Sequence, residues 1–203
     1  MQTRFLSFLA STILLATPVL TQDIPVYEET GVIEITLGGE RMIHYTTWNT
    51  VPDDPARKVH TASWLILEPR LLGGVNISPD DVFVVITSRD SIEPNPGQAS
   101  MRVEISLDPE TLDLKTRPAP SVRFYPEDDD RFYAMTDGTF TVESVTRIDS
   151  DSFTIIASAS GVMTGQTSET IAHNPDDALE FSAKFDLQRV VNRAGENGKP
   201  SSQ

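Results

Sequence analysis

Apolar and polar residues alternate one by one along several segments of this chain. The clearest alternation covers residues 179–187, and residues 101–107 repeat it. Successive side chains of a β-strand point to opposite faces of a sheet, so this pattern predicts strands with one buried and one solvated face. The residues predicted to face the core in the first segment are Leu179, Phe181, Ala183, Phe185 and Leu187.

Turn-forming residues lie between the predicted strands. Asp108 opens a turn whose second position is fixed by Pro109, while Gly38 and Gly39 supply the backbone freedom that a tight turn requires. These turns, with a third over residues 149–152, predict three hairpins: residues 32–37 with 41–47, 101–107 with 112–116, and 139–148 with 153–160.

The number of strands defines the predicted fold class. Residues 82–87 form a continuous apolar run, which predicts a strand buried on both faces at the centre of the core. The proline-containing segments 88–99 and 116–126 are predicted to be extended loops or edge segments. We predict an all-β fold, an antiparallel β-sandwich of about nine or ten strands, with a closed soluble β-barrel as the alternative. Short runs and an aromatic content of 7% argue against a membrane-spanning barrel.

The N-terminal segment predicts export. Arg4 precedes an apolar run over residues 5–16, which is too short to span a bilayer and is typical of a signal peptide. We predict a signal-peptide helix over residues 1–21, a single β-rich domain over residues 22–191 and a disordered tail over residues 192–203. The chain contains no cysteine for lipid attachment. The expected product is therefore soluble, periplasmic or secreted, not a lipoprotein, and without an integral membrane segment after cleavage.

The chain is acidic, with a formal net charge of -14. Such a surface repels nucleic acid and anionic membranes, and the sequence holds no run of lysine and arginine that would form a basic patch. No nucleic-acid partner is therefore expected. The acidity itself is interpreted as a contribution to solubility.

Few residues are candidates for metal binding or nucleophilic catalysis. The lack of cysteine excludes thiol catalysis, and no serine-hydrolase, phosphate-loop or dinucleotide motif occurs. His44, His60 and His173 are each predicted to be ordinary surface, edge or loop residues. Carboxylate-rich turns can supply the oxygen ligands of calcium, the one cofactor considered. The candidate calcium ligands are Asp128, Asp129, Asp130, Asp149 and Asp151.

A glycosidase would require two carboxylates about 5 to 10 Å apart, usually among aromatic residues. Trp48 and Tyr45 are candidates for a sugar-binding face, whereas Trp64, between Ala62 and Ile66, is better explained by core packing. The carboxylates within or beside strands are Glu34, Glu68, Glu104, Glu143 and Glu180. Because they alternate with apolar residues, they are expected to face water.

Two hypotheses for function follow. The favoured one is a non-enzymatic binding or structural domain of the bacterial envelope or secretome, which binds a protein or glycan through loops or a sheet edge. The alternative is a secreted hydrolase that acts on polysaccharide through a carboxylate pair. No catalytic or cofactor-binding residue is predicted, because no complete constellation of such residues occurs.

Overall fold

The computed structural model describes residues 25–51, 54–66, 71–72, 75–76, 81–95, 97–126, 131–167 and 174–193. Within these ranges the chain is almost entirely antiparallel β-structure, as predicted, with ten strands in one sheet. The predicted signal peptide and residues 194–203 of the predicted tail lie outside the described residues. No helix in the described ranges is long and apolar enough to cross a membrane.

The strands in the described ranges are β1 (Tyr27–Leu37), β2 (Glu40–Val51), β3 (Asp54–His60), β4 (Ala62–Ile66), β5 (Leu71–Leu72), β6 (Val75–Asn76), β7 (Val82–Arg89), β8 (Ser100–Leu107), β9 (Ser121–Tyr125), β10 (Arg131–Arg147), β11 (Ser152–Thr167) and β12 (Asn174–Asn192). Strands β5 and β6 pair with each other, and the main sheet has the order β11-β10-β9-β8-β7-β4-β12-β1-β2-β3. Additional pairings join β11 to β12 and β2 to β7. One short pairing, between β12 and β4, is parallel.

Strands β1 and β2 form the hairpin predicted around the glycine pair. Gly38 and Gly39 have φ angles of 57° and 86°, the left-handed values that a two-residue type I′ turn requires at both central positions. This turn fixes the register, which places Leu37 opposite Glu40 and Ile33 opposite His44.

Three long strands, β10, β11 and β12, follow one another as antiparallel neighbours. The alternation predicted for residues 179–187 is confirmed, because Phe181, Ala183, Phe185 and Leu187 are all buried while the residues between them are exposed. Strand β12 pairs with β11 on one side and with β1 on the other. It therefore lies inside the sheet for most of its length.

The core lies on one face of the main sheet. Val84 and Ile86 of β7 are fully buried, as predicted for the centre of the core. The prediction that this strand is buried on both faces is wrong, because Phe83 and Val85 are only half-buried. The alternate face of β7 is partly open to solvent, which an apolar run alone did not reveal.

Two further predictions of local structure are corrected. The segment 116–126 contains strand β9, which pairs with both β8 and β10. Residues 112–116 do not form a hairpin strand, since one bridge joins Leu107 to Leu114. The reason is local: Asp108 accepts hydrogen bonds from two turn amides, and Leu112 takes a left-handed φ of 61°, which breaks the extended conformation.

Strands β10 and β11 approach most closely at a pair of glycines. Gly138 and Gly161 are register partners, next to a bulge in β10 between Met135 and Asp137. A Cβ atom at Gly161 would lie 2.1 Å from the Asp137 carbonyl oxygen and 2.5 Å from the Gly138 Cα atom. Both distances are far below van der Waals contact, so this approach requires glycine.

We predict that Gly161→Ala lowers the free energy of unfolding by about 3 kcal/mol or more, because the backbone of one strand must move away from the other. The matched control is Gly39→Ala, at a turn with φ 86° and no atom within 4 Å of the added Cβ. This control should cost about 1 kcal/mol, the conformational term alone. Urea denaturation of both variants measures the difference, and equal losses would contradict the steric explanation.

Candidate functional site

The outer face of five adjacent strands, β10, β11, β12, β1 and β2, carries two rows of polar side chains. One row crosses the strands as Arg41, Thr36, Ser182, Ser160 and Thr139. The next row is Ile43, Glu34, Lys184, Ser158 and Thr141. We call the six hydroxyl residues of these rows the hydroxyl face: Thr36, Thr139, Thr141, Ser158, Ser160 and Ser182.

The alternation of each strand generates this face. On β12, Ser182 and Lys184 are exposed while their neighbours Ala183 and Phe185 are buried in the core. Neighbouring strands lie about 4.8 Å apart, so each row presents a side chain at about that interval. Antiparallel register on both sides of β12 then aligns hydroxyl groups from four strands.

The hydroxyl face lines an open concavity of about 770 Å³. A second, smaller concavity of about 450 Å³ adjoins it along the strands and shares Glu34 and Lys184 with it. The larger volume is within the range of ligand-binding sites. Exposed Ile43, at one end of the second row, adds apolar surface to its wall.

The charges of the two concavities differ. The larger one contains Arg41 and Lys184 together with Glu34, which is the register partner of Lys184. The ion pairs formed among the described residues do not include Arg41 or Lys184. The smaller concavity contains Lys184 with three carboxylates, those of Glu34, Glu143 and Asp186. Within the described ranges, this acidic chain therefore presents beside its hydroxyl face two cations that form no ion pair with another described residue.

The chemistry available on this face is hydrogen bonding. Each hydroxyl can donate one hydrogen bond and accept two, and arginine and lysine only donate. Such groups match a ligand that is itself rich in hydroxyl groups. The described residues that line the two concavities include no histidine and no buried carboxylate.

The aromatic candidates lie outside both concavities. Trp64 is a core residue, as predicted: its ring stacks on Phe153 with centroids 5.9 Å apart, and its Nε1 donates to the Asp151 carbonyl oxygen at 3.2 Å. Trp48 is half-buried and covered by Lys58, whose Nζ lies 3.9 Å from the ring centroid. Tyr45 is also half-buried.

The strand-borne carboxylates are scattered. Glu34, Glu143 and Glu180 are exposed, as predicted, while half-buried Glu104 forms an ion pair with Arg102 at 2.7 Å. Glu68 lies outside the described residues. Among the four of these glutamates that the structure describes, Glu34 and Glu143 line the same concavity, together with Asp186.

Two other polar clusters are structural. Buried Asp81 forms an ion pair with Lys115, which ties the loop after β8 to the start of β7. Asp177 binds Arg131 at 2.6 Å and accepts a hydrogen bond from the Tyr133 hydroxyl at 3.2 Å. Burial and the nearby Asp177 carboxylate raise the pKa of Tyr133.

His44 corrects a sequence prediction, because it is fully buried rather than a surface or edge residue. Its Nδ1 lies 3.3 Å from the Ser88 hydroxyl and its ring centroid 5.8 Å from that of Phe124. Its Nε2 is buried and has no hydrogen-bond partner among the described residues. Burial lowers the pKa of His44, against the opposing effects of Asp90 and the Ser88 contact.

His60 is half-buried on β3, and His173 lies outside the described residues. Burial, reinforced by the positive charges of Arg189 and Lys58, lowers the pKa of His60 to about 4. His44 and His60 thus favour the neutral imidazole in the folded chain.

Two of the five calcium candidates, Asp149 and Asp151, lie within the described residues. Asp149 lies in the β10–β11 turn, where its Oδ1 accepts hydrogen bonds of 2.8 Å from the Asp151 amide and from the Ser152 hydroxyl. These hydrogen bonds lower the pKa of Asp149. No group of three or more metal-ligating side chains occurs within the described ranges. Asp128, Asp129 and Asp130 lie outside the described residues, so calcium binding stays a prediction.

We predict that acidification lowers the free energy of unfolding over a pH range set by His44 and His60. The pKa of an unfolded histidine is about 6.5, so below this pH the unfolded chain binds protons that folded His44 and His60 do not. The free energy of unfolding should fall as the pH drops from about 6.5, by up to about 1.4 kcal/mol per pH unit for each such histidine. Hydrogen bonds from the Thr111 and Glu110 amides lower the pKa of Asp108. This lowered pKa and that of Asp149 affect the free energy of unfolding only below the ordinary aspartate pKa of about 4.

Urea denaturation at a series of pH values, from neutral to well below 6.5, measures how steeply the free energy of unfolding falls with pH. His60→Gln, which keeps a neutral polar side chain, should make this fall less steep. A stability that stays constant or rises on acidification through this pH range would contradict the prediction.

Comparison of the chain with protein-family models, with curated protein sequences and with solved structures finds no significant match to any of them.

Proposed function

We propose that this chain is a non-enzymatic, exported binding protein of the bacterial envelope or secretome, and that its ligand is a glycan bound across the hydroxyl face. The observation that carries the proposal is the open concavity of about 770 Å³ lined by hydroxyl side chains from four adjacent strands. Open concave surfaces with a few convergent polar groups are the usual form of a ligand site.

The composition of this surface favours a glycan over a protein partner. Protein interfaces draw most of their binding energy from buried aromatic and arginine anchors. The described residues that line the larger concavity include no aromatic side chain, and Arg41 among them is exposed rather than buried. Its hydroxyls instead complement a ligand that presents hydroxyl groups along its length, and Ile43 can contact the apolar face of a sugar ring.

The strand pairings support a closed sheet rather than two stacked sheets. Strand β11 pairs with β10 and β12, and β2 pairs with β7 across the sheet order. We infer a closed soluble barrel whose interior is the core. In that arrangement the hydroxyl face lies on the outside, where no part of the core competes for it.

A hydrolase is the second candidate, and one observation favours it: Glu34 and Glu143 line the same smaller concavity. Both side chains are exposed, whereas the acid of a glycosidase lies in a desolvated pocket. We therefore expect no release of reducing sugar from any polysaccharide that binds, and no effect of Glu143→Gln on that result.

The central prediction is that Ser182→Tyr weakens polysaccharide binding by about tenfold or more. Tyrosine suits a β-strand, so the variant should fold, while its ring would project from the outward position of Ser182 into the larger concavity and obstruct it. The probes are hydroxyethyl cellulose, dextran and galactomannan, with lightly and heavily carboxymethylated derivatives of each. Affinity electrophoresis should show retardation of the wild type by at least one polymer, and a loss of about tenfold or more in the variant, the size expected when one good hydrogen-bonded contact is lost.

The matched control is Thr146→Tyr, an exposed residue of β10 that lines neither concavity. It should bind like the wild type. The proposal fails if none of the polymers retards the wild type, or if Ser182→Tyr binds as well as Thr146→Tyr does. Thermal melting of both variants separates a blocked site from a lost fold.

A further inference from the structure

Resting on the proposed function, we propose that the ligand is a largely neutral glycan with isolated anionic groups, and that Arg41 and Lys184 bind one such group beside Thr36 and Ser182. The ligand class is thus a polysaccharide in which occasional carboxylate or sulfate groups are separated by uncharged sugars.

Arg41 and Lys184 lie beside two adjacent hydroxyls of the hydroxyl face, those of Thr36 and Ser182. Arg41 is the register partner of Thr36, and Thr36 is the register partner of Ser182. Lys184 projects from the same face of β12, two residues after Ser182. Two positive side chains therefore border two adjacent hydroxyls. A guanidinium binds a carboxylate or sulfate through paired hydrogen bonds. Nearby hydroxyls can donate further hydrogen bonds to the oxygens of the same anionic group.

The charge of the larger concavity contrasts with that of the whole chain, whose net charge is -14. Among the residues that line the larger concavity, Arg41 and Lys184 outnumber the single carboxylate of Glu34. An anionic group is attracted to this location although the chain as a whole repels anions.

A second anionic group on the same ligand would meet the carboxylates of the smaller concavity. Alternate residues on one face of a strand lie about 7 Å apart, so the smaller concavity is close to the larger one. Its wall carries Glu34, Glu143 and Asp186 against the one lysine that both concavities share. A densely charged polyanion would place further anionic groups against these carboxylates. The surface thus selects sparse over dense negative charge.

The test uses hydroxyethyl cellulose, dextran and galactomannan in three forms each: uncharged, lightly carboxymethylated and heavily carboxymethylated. For each backbone that retards the protein, affinity should be highest for the lightly substituted form and lower for both others. The optimum should weaken as salt is added, because exposed charges are screened.

Two variants test which residues cause the affinity optimum for the lightly substituted polymer. Arg41→Gln should reduce affinity for the lightly substituted polymer by about tenfold, the loss expected for a charge-assisted hydrogen bond, and so remove the optimum. A double variant, Glu143→Gln with Asp186→Asn, should raise affinity for the heavily substituted polymer. The matched control is Arg147→Gln, an exposed arginine of β10 outside both concavities, which should keep the wild-type optimum.

Affinity that rises or falls steadily with substitution in the wild type would overturn the inference and leave the proposed glycan binding intact. An optimum that survives in Arg41→Gln would overturn the assignment of the cation site. If no form of any polymer binds, the proposed function itself fails and the inference fails with it.

Discussion

Two-sided pairing of β12 is the constraint on which the rest of this fold depends. Its backbone is paired with β11 along one edge and with β1 along the other, so its register fixes both neighbours. In the core, Phe185 lies between Ile33 and Ala157, and its ring centroid is 5.4 Å from that of Phe140 on β10. Buried apolar area on this scale is the main favourable term in folding. A slip of one residue would turn every buried side chain of β12 toward solvent.

The same register builds the hydroxyl face without any further folding information. Side chains of β12 that do not enter the core must project outward, and the pairing that sets Ala183 beside Ala159 also sets Ser182 beside Ser160. The core and the candidate site are thus two faces of one arrangement. A substitution that shifts a strand to repack the core would also displace the hydroxyls. Binding and stability are therefore coupled through register rather than through direct contact.

The sequence predicted those features that depend on neighbouring residues. The alternation over residues 179–187 and the tight turn at Gly38 and Gly39 are local properties, and both are confirmed. The burial of His44 could also have been predicted, because a two-residue turn fixes the register that sets His44 opposite Ile33, a core position. An apolar neighbour, Ile43, concealed this by occupying the outward position. The hydroxyl face could not have been predicted, because Thr36, Ser182 and Thr139 come from distant parts of the chain, and which strands become neighbours is not a local property.

The choice of serine and threonine at the outward positions has a physical consequence for binding. These side chains have few rotamers, so holding them in place for a ligand costs less conformational entropy than ordering lysine, glutamate or glutamine would. Their backbone is already fixed by hydrogen bonds on both sides of each inner strand. Such preorganisation reduces the entropic cost of association, which matters most when individual contacts are neutral hydrogen bonds of modest net energy. The long charged side chains that line the larger concavity among the described residues are Arg41, Lys184 and Glu34, and the two cations lie beside hydroxyl positions. A rigid hydroxyl surface therefore provides the general affinity for a glycan, and a small number of flexible charges is enough to select among glycans.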